Sequence, residues 1–388
     1  MTYDFDTPIN RRLTGSVKWQ NLPQNVIPMN IADMEFRGLT EVSEALRQVA
    51  EQGDFGYIGM SDTDYEAVVG WLNKRRGVVI PVQDIVPTLG VLYSARIALS
   101  MLTNVGDKVV VQTPLHTPSI ATPCVMGRQK VENRLVYKDG KYYIDYEDLE
   151  KHFKQGAKVL MICAPHNPTG RVWTEFEMQT IGEIVAKYDG YVISDEIHSD
   201  VIWGEKRHVS PTQIPVLKDR SIAVYSTSKT FNMGGFHIGT AIIPNPILRE
   251  RFVKEFYKIG HDCNRPAVSC IRAQTTAYTK GEEWYKQMLN YVEGNIDYAL
   301  SVLKDTPIKA IKPDGTFLLW ADISSLNWTA EKLQKVMINE WRVLLDPGSY
   351  YDTKDWSTYK GIEHHIRFNL ALPKPTLMEA LDRIKKYF

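Results

Sequence analysis

The sequence predicts an α/β fold in which a large domain, with a mostly parallel sheet flanked by helices, is joined to a smaller α+β domain at the C-terminus. Three observations support this expectation. The chain has 388 residues, which is enough for two domains. Short apolar runs alternate with helical patterns between residues 85 and 243, as in an open parallel sheet. Beyond residue 303 the pattern changes to alternating strands and further helices, which is typical of a compact α+β unit.

Each element is predicted from its own local pattern. Helices are expected where apolar residues recur every three or four positions, at 39–51, 64–77, 92–102, 329–341 and 377–387, with a long helical region at 246–303. Strands are expected where apolar runs are too short for a helix or alternate with polar residues, at 85–87, 108–112, 159–163, 191–194, 222–225, 241–243, 315–321 and 365–370. Glycine and proline mark the turns between these elements.

The composition indicates a globular protein without a charged partner. The 46 basic and 46 acidic side chains give a formal net charge of +0, so neither nucleic acid nor a membrane surface is implied. No apolar stretch is long enough to span a bilayer or to act as a secretion signal, and a cytoplasmic location is expected. Cys124, Cys163, Cys263 and Cys270 lack the paired spacings of zinc or redox sites, so we expect reduced thiols and no metal.

Polar side chains follow the carboxyl ends of several predicted strands. They are His116, Asn167, Asp195, His198, Ser226 and Lys229. Each has a simple structural explanation, as a turn former, a helix cap or an exposed helix residue. Ligands of open α/β sheets bind at the carboxyl ends of the strands, however, and there these residues could converge although they are distant in sequence. Their combination therefore predicts a binding site.

The stretch from Ser221 to Gly239 contains a single lysine, Lys229, just after an apolar strand and among small hydroxyl residues. Such a lysine can form a Schiff base if burial lowers its pKa, and the hydroxyls can bind a phosphate; the alternative is an exposed lysine in a loop. Gly90 precedes a helix and would leave backbone N–H groups free for an anion, although most such turns bind nothing. Arg367 lies between apolar neighbours in a strand, where it either faces solvent or clamps a carboxylate.

Five motifs, in this order, resemble those of the pyridoxal-phosphate enzymes of the aspartate aminotransferase superfamily, fold type I, class I and II. They are ADMEF at 32–36, FGY at 55–57, CAPHNPTGRVW at 163–173, SDEIHSD at 194–200 and SKTFN at 228–232. The resemblance covers essentially the whole chain and is closest to the branch of cystathionine β-lyases and cysteine-sulfur lyases, which also contains a modulator of the maltose regulon. It implies pyridoxal 5'-phosphate as the cofactor and an amino acid as the substrate.

The resemblance gives each candidate residue a role. Lys229 resembles the Schiff-base lysine, which also acts as the base at the substrate Cα, and Asp195 resembles the carboxylate that keeps the pyridine nitrogen protonated. Tyr57 resembles a tyrosine that reaches the phosphate of the neighbouring subunit's cofactor, so a homodimer with shared active sites is implied. The other implied cofactor contacts are Gly90, Val91, Leu92, His116, Asn167, His198, Ser226, Ser228 and His237, and the implied substrate contacts are Arg367, Ala32 and Asn30.

Three positions depart from the pattern of these relatives. His116 stands where the branch commonly has a tyrosine stacked on the cofactor ring. His237 stands where many aminotransferases place an arginine that binds the phosphate, and Asn30 stands where the branch has a tryptophan. These differences are expected to affect which substrate is bound more than whether the cofactor is bound.

The expected domains are an N-terminal arm with part of the small domain at 1–45, the large cofactor-binding domain at 46–290 and the small C-terminal domain at 291–388. The resemblance favours a β-lyase that uses pyridoxal phosphate to eliminate a thiol from cystathionine- or cysteine-type amino acids, giving pyruvate and ammonia. An aminotransferase that passes an amino group to a 2-oxo acid is the alternative. A regulatory protein that retains the fold is a second alternative.

Overall fold

The computed structural model describes residues 2–260, 265–351 and 364–388. Its helices are α1 (Thr40–Gln52), α2 (Asp62–Arg76), α3 (Val91–Leu102), α4 (Thr117–Val125), α5 (Tyr146–Lys154), α6 (Glu175–Lys187), α7 (Pro246–Gly260), α8 (Val268–Lys280), α9 (Glu282–Leu303), α10 (Ala330–Lys335) and α11 (Lys374–Tyr387). Its strands are β1 (Ile27–Pro28), β2 (Ile85–Thr88), β3 (Lys108–Thr113), β4 (Gln129–Arg134), β5 (Val136–Lys138), β6 (Lys141–Tyr143), β7 (Ala157–Cys163), β8 (Tyr191–Asp195), β9 (Ser221–Tyr225), β10 (Gly239–Ile242), β11 (Lys309–Ala310), β12 (Leu318–Asp322), β13 (Val343–Leu344), β14 (Asp346–Pro347) and β15 (His365–Asn369).

The large sheet has seven strands in the order β2-β10-β9-β8-β7-β3-β4. The two pairings of β10, with β2 and β9, are antiparallel and the other four pairings are parallel, so the expected mostly parallel sheet is confirmed. The central strands are apolar on both sides because helices cover both faces of the sheet. Residues of α3 and α7 pack on one face, and residues of α5 and α6 pack on the other.

A second, antiparallel sheet in the C-terminal part has the strand order β11-β12-β15-β14. Its buried residues share one hydrophobic core with α9 and α11, which confirms the smaller C-terminal α+β domain. β1 pairs in parallel with β13, and this joins the N-terminal segment to the C-terminal part of the chain. The boundaries at 1–45, 46–290 and 291–388 remain a prediction, which this pairing supports.

Several elements differ in detail from the predicted ones. The helical region at 246–303 consists of three helices, and the helix expected at 329–341 is α10 followed by a π-helical segment, Val336–Trp341. The strand expected at 315–321 begins only at Leu318. The β5–β6 hairpin was not predicted, because its residues are mostly exposed and show no clear alternation. Cys263, one of the four cysteines expected to be reduced, lies outside the described residues.

The irregular segment 31–36 connects the two parts of the molecule. The side chain of Asn232, three residues after Lys229, accepts a hydrogen bond from one backbone N–H of this segment and donates to two of its carbonyls. Asn369, two residues after Arg367, donates to two other carbonyls of the segment, both at 2.8 Å. The segment therefore fixes the loop that carries the lysine relative to the strand that carries the arginine.

A buried ionic cluster holds the same segment from the side of the N-terminal arm. The carboxylate of Glu35 accepts hydrogen bonds from Arg11 and from the indole N–H of Trp19, at 2.9 and 3.0 Å, and its ion pair with Lys18 spans 2.9 Å. Arg11 also pairs with Asp33. Lys18 is only 3% exposed; burial lowers its pKa, and the charge of Glu35 beside it opposes this shift.

We predict that Asn369→Ala lowers the free energy of unfolding by about 2 kcal/mol, because two backbone carbonyls lose their donor and a buried side chain is removed. Urea denaturation provides the measurement. Asn104→Ala is the matched control, since Asn104 is exposed, and it should change the free energy of unfolding by less than about 0.5 kcal/mol. Equal effects of the two substitutions would contradict this account of segment 31–36.

Candidate active site

A cavity of about 230 Å³ lies at the carboxyl ends of β7, β8 and β9. It contains most of the residues proposed from the sequence: Ala32, Gly90, Val91, Leu92, His116, Asn167, Asp195, His198, Ser226, Ser228, Lys229 and His237. Gly234, expected with Gly235 to let the backbone approach a ligand closely, also lines the cavity, and three further lining residues were not predicted: Cys163, Ile197 and Ile238. The position of the cavity follows from the parallel strands, whose carboxyl ends share one edge of the sheet.

Lys229 reaches into this cavity from the loop after β9. Its ammonium group donates a hydrogen bond to the carbonyl of Ala32 in segment 31–36. Burial lowers the pKa of Lys229 to about 8; the nearby charge of Asp33 opposes this shift and that of Arg367 adds to it. A lysine with this pKa can act as a nucleophile and as a base near neutral pH, and the reading as an exposed loop lysine is wrong.

Asp195 ends β8 and places a carboxylate in the cavity. Its Oδ1 accepts the backbone N–H of Ile197 at 3.1 Å. Burial raises the pKa of Asp195 to about 6, while this hydrogen bond and the charge of Lys229 lower it in part. A cationic ring nitrogen beside the carboxylate would be stabilised strongly, because the site is shielded from water.

Asn167 and two histidines complete the polar wall. The Asn167 Oδ1 accepts a hydrogen bond from Arg367 at 3.0 Å, so the amide NH₂ is the group left to donate. His198 is buried against Phe317, and its Nδ1 has no hydrogen-bond partner among the described residues. Burial lowers the pKa of His116 to about 3 and that of His198 well below its usual value, with Lys229 and Arg367 adding to both shifts, so both imidazoles are neutral at pH 7.

The turn at Gly90 presents backbone N–H groups at the N-terminus of α3. Gly90 has φ +120°, a conformation that side chains disfavour. Gly239 at the start of β10 packs against this turn so closely that a Cβ there would lie 2.8 Å from Gly90 Cα. The hydroxyl of Ser226 already donates to the carbonyl of Ile238 at 2.7 Å, so Ser228 is the better placed of the two serines to donate to an anion.

Arg367 points inward from β15 and is only 3% exposed, so it does not face solvent. Besides its bond to Asn167, it pairs with Asp346, which lies directly opposite on β14. The hydroxyl of Tyr351 donates to the same carboxylate at 2.8 Å, and its ring lies 5.0 Å from the guanidinium carbon. Asp346 and Tyr351 were not predicted from the sequence, since a single acidic residue in a two-residue strand carries no recognisable pattern.

Three proposed residues lie outside the cavity lining: Asn30, Tyr57 and Arg367, which is hydrogen-bonded to the lining residue Asn167. Asn30 approaches Arg367 through its backbone carbonyl, at 3.5 Å, and its side-chain oxygen is buried without a partner among the described residues. Tyr57 is 95% exposed in the loop between α1 and α2, so it does not contact the cavity of its own chain. Its expected role at the phosphate of a neighbouring subunit remains a prediction.

These residues fit the cofactor that the resemblance implies. The amine of Lys229 could react with an aldehyde, the N–H groups at Gly90 could bind a phosphate, and Asp195 could pair with a protonated ring nitrogen. The His198 Nδ1, which has no hydrogen-bond partner among the described residues, and the NH₂ of Asn167 could form further polar contacts with the cofactor. Within the described ranges no group of three or more His, Cys, Asp or Glu side chains is arranged to hold a metal ion. No described helix is long and apolar enough to cross a membrane.

Comparisons with known proteins agree with this geometry. Residues 24–384 match the model of the family "Aminotransferase class I and II". Cystathionine beta-lyase PatB of Bacillus subtilis is 34% identical, over 98% of this chain and 99% of its own. The crystal structure of cystalysin from Treponema denticola, which contains pyridoxal 5'-phosphate, superposes with a TM-score of 0.93 at 32% identity, covering 100% of this chain and 98% of cystalysin.

A PLP-bound putative aminotransferase from Clostridium difficile 630 is equally similar in fold. Its TM-score is 0.93 at 30% identity, and the match covers 99% of both chains. Sequence and structural similarity therefore extend over nearly the full length, and the site residues lie within the matched range. This chain belongs to the aminotransferase class I and II family.

Proposed function

We propose that this protein is a carbon-sulfur β-lyase that uses pyridoxal 5'-phosphate to remove a thiol from the β-carbon of cystathionine- or cysteine-type amino acids. In this reaction the Cα–H and Cβ–S bonds break and the thiol leaves. One water molecule then converts the remaining 2-aminopropenoate to pyruvate and ammonia. The predicted cytoplasmic location is part of the same proposal and fits the free thiols of Cys124, Cys163 and Cys270.

The observation that carries the proposal is the convergence of an amine, a carboxylate and a guanidinium on one cavity. Lys229 and Asp195 line it, and Arg367 is linked to it through Asn167. Bound pyridoxal phosphate supplies an electron sink for the carbanion that forms at the substrate Cα. Asp195 holds the ring nitrogen in its protonated form, which strengthens that sink.

The other residues bind the substrate and move one proton. Arg367 clamps the α-carboxylate and so fixes the Cα–H bond near Lys229. The amine of Lys229 accepts the Cα proton, and its lowered pKa suits a base that works near neutral pH. A thiol is a good leaving group, so departure from the β-carbon needs little further help from an acid.

Two observations favour elimination over transamination: the activity named for a curated relative, and the pairing of Arg11, the candidate for a second carboxylate-binding arginine, with acidic residues. The curated relative with 34% identity is named a cystathionine β-lyase. Aminotransferases for acidic substrates need a second arginine for the distal carboxylate. Arg11 lines the adjoining cavity, but its guanidinium is already bonded to Asp33, Glu35 and a backbone carbonyl. The putative aminotransferase of similar fold keeps transamination as the second candidate.

The protein is further proposed to be a homodimer with shared active sites. Tyr57 and Phe55 are 95% and 70% exposed on the loop before α2, which is unusual for aromatic side chains. The next residue, Ile58, lines a surface cavity of about 700 Å³ together with Tyr257 and Pro266. An exposed apolar region of this kind supports a contact with a second copy, in which Tyr57 reaches the partner's phosphate.

We expect the purified enzyme to release pyruvate over many turnovers from L-cystathionine or L-cysteine with no 2-oxo acid added, because elimination needs no amino acceptor. Pyruvate and ammonia are measured together. L-alanine, which has no leaving group, is the control and should give no more than one pyruvate per site. If no β-substituted amino acid is turned over, while amino donors each give one equivalent of 2-oxo acid, the aminotransferase reading replaces this one.

Asp195→Asn should lower kcat by a factor on the order of 10³, because a neutral amide no longer keeps the ring nitrogen protonated. Turnover is compared with the thermal unfolding midpoint, which should change little. Asp189→Asn, the same change at a side chain that is 97% exposed, should retain full activity. A folded Asp195→Asn protein with the rate of the wild type would remove Asp195 from its proposed role.

Mixing inactive Tyr57→Ala and Lys229→Ala proteins should restore about a quarter of the wild-type activity, since random pairing gives hybrid dimers with one intact site. Activity is followed after subunit exchange, and each protein mixed only with itself is the control. A fully active monomer by light scattering, or full activity of Tyr57→Ala alone, would rule out the shared site.

A further inference from the structure

Arg367 already has a carboxylate partner inside the protein. Asp346 lies opposite Arg367 in the β14–β15 register, and the two side chains form an ion pair although they are only 10% and 3% exposed. One further guanidinium N–H goes to Asn167, and the Nε–H has no partner among the described residues. The clamp proposed for the substrate is therefore partly neutralised but still has N–H groups to donate.

The position of Asp346 is fixed from both domains. Tyr351 donates its hydroxyl to the Asp346 carboxylate at 2.8 Å and covers the guanidinium with its ring. The carbonyl of Tyr351 accepts the backbone N–H of Leu115, next to the cavity residue His116, at 3.1 Å. A carboxylate held in this way cannot swing aside when a second carboxylate binds to the same guanidinium.

Two carboxylates on one buried guanidinium repel each other. A substrate α-carboxylate bound by Arg367 would lie within a few ångströms of Asp346, in a region shielded from water. A guanidinium clamp gains affinity from charge-assisted hydrogen bonds to the bound carboxylate. Here the carboxylate of Asp346 reduces the affinity of Arg367 for a second carboxylate. It also serves as the counter-ion of the buried arginine when no substrate is bound.

We propose that Asp346 attenuates the carboxylate clamp, so that Arg367 binds the α-carboxylate of substrates, and of carboxylate products such as pyruvate, more weakly than a free arginine would. Asp346 thereby sets the affinity of the site for monocarboxylates while also orienting the guanidinium. This inference rests on the proposed function in one respect, the assignment of Arg367 as the substrate clamp.

The test measures the binding of 3-(methylthio)propionate to the cofactor-loaded enzyme by calorimetry. This probe has the carboxylate and thioether of S-methylcysteine but no amino group, so it cannot react. Asp346→Asn should lower its Kd about tenfold, because one like charge beside the bound carboxylate is removed. Asp346→Glu retains the charge and should not tighten binding. Asp346→Ser is a second neutral variant, for the case that the asparagine variant does not fold.

Two controls separate charge at this position from other effects. Glu331→Gln removes a negative charge from a side chain that is 77% exposed in the same domain, and should leave the Kd unchanged. The uncharged amide, 3-(methylthio)propionamide, should bind wild type and Asp346→Asn equally. Unchanged or weaker binding of the probe to the folded neutral variants would overturn the proposal, because Asp346 would then only orient Arg367.

Arg367→Gln distinguishes failure of this inference from failure of the proposed clamp. If Arg367 holds the carboxylate, the glutamine variant loses probe binding. Retained binding would show that the carboxylate lies elsewhere and would remove both the clamp and its attenuation. Lost binding in Arg367→Gln combined with no gain in Asp346→Asn would leave the clamp in place and reject the attenuation alone.

Discussion

The hydrogen bond between Arg367 and Asn167 joins the C-terminal domain to the edge of the large sheet, and the geometry of the site depends on it. It determines which end of the Asn167 amide faces the cavity, because the oxygen is occupied by the guanidinium. Burial lowers the pKa of His116, His198 and Lys229, and the positive charge of Arg367, which this bond keeps close to them, adds to all three shifts. One contact thus links the arginine proposed to bind the substrate, the amide proposed to face the cofactor and the basicity of the lysine.

The lysine is controlled from the opposite side by segment 31–36. The carbonyl of Ala32 accepts a hydrogen bond from the ammonium group of Lys229. The charge of Asp33 opposes the lowering of the Lys229 pKa by burial. Asp33 is in turn paired with Arg11, which also binds Glu35. The ADMEF motif therefore acts on Lys229 through a backbone carbonyl and through the charge of Asp33.

The cavity residues supplied by strand ends could be predicted from the sequence, because parallel strands bring their carboxyl ends together whatever the length of the connections. Lys229, Asp195 and Asn167 were found in this way, and the resemblance added their roles. Asp346, Tyr351 and Asn369 could not be found, since their positions depend on how the two sheets pack. Tyr57 is a third case, because its expected role needs a second chain, which sequence patterns do not reveal.

The turn at Gly90 follows an edge strand of the large sheet and not a central strand. It follows β2, which is hydrogen-bonded on one side only, to β10, and Gly239 of that strand supports it. Edge strands open locally at a smaller free-energy cost than central strands. A phosphate held by this turn, as proposed, would therefore be coupled to local opening of the sheet edge: its binding would suppress opening of β2, and an opening event would release it without unfolding the catalytic centre.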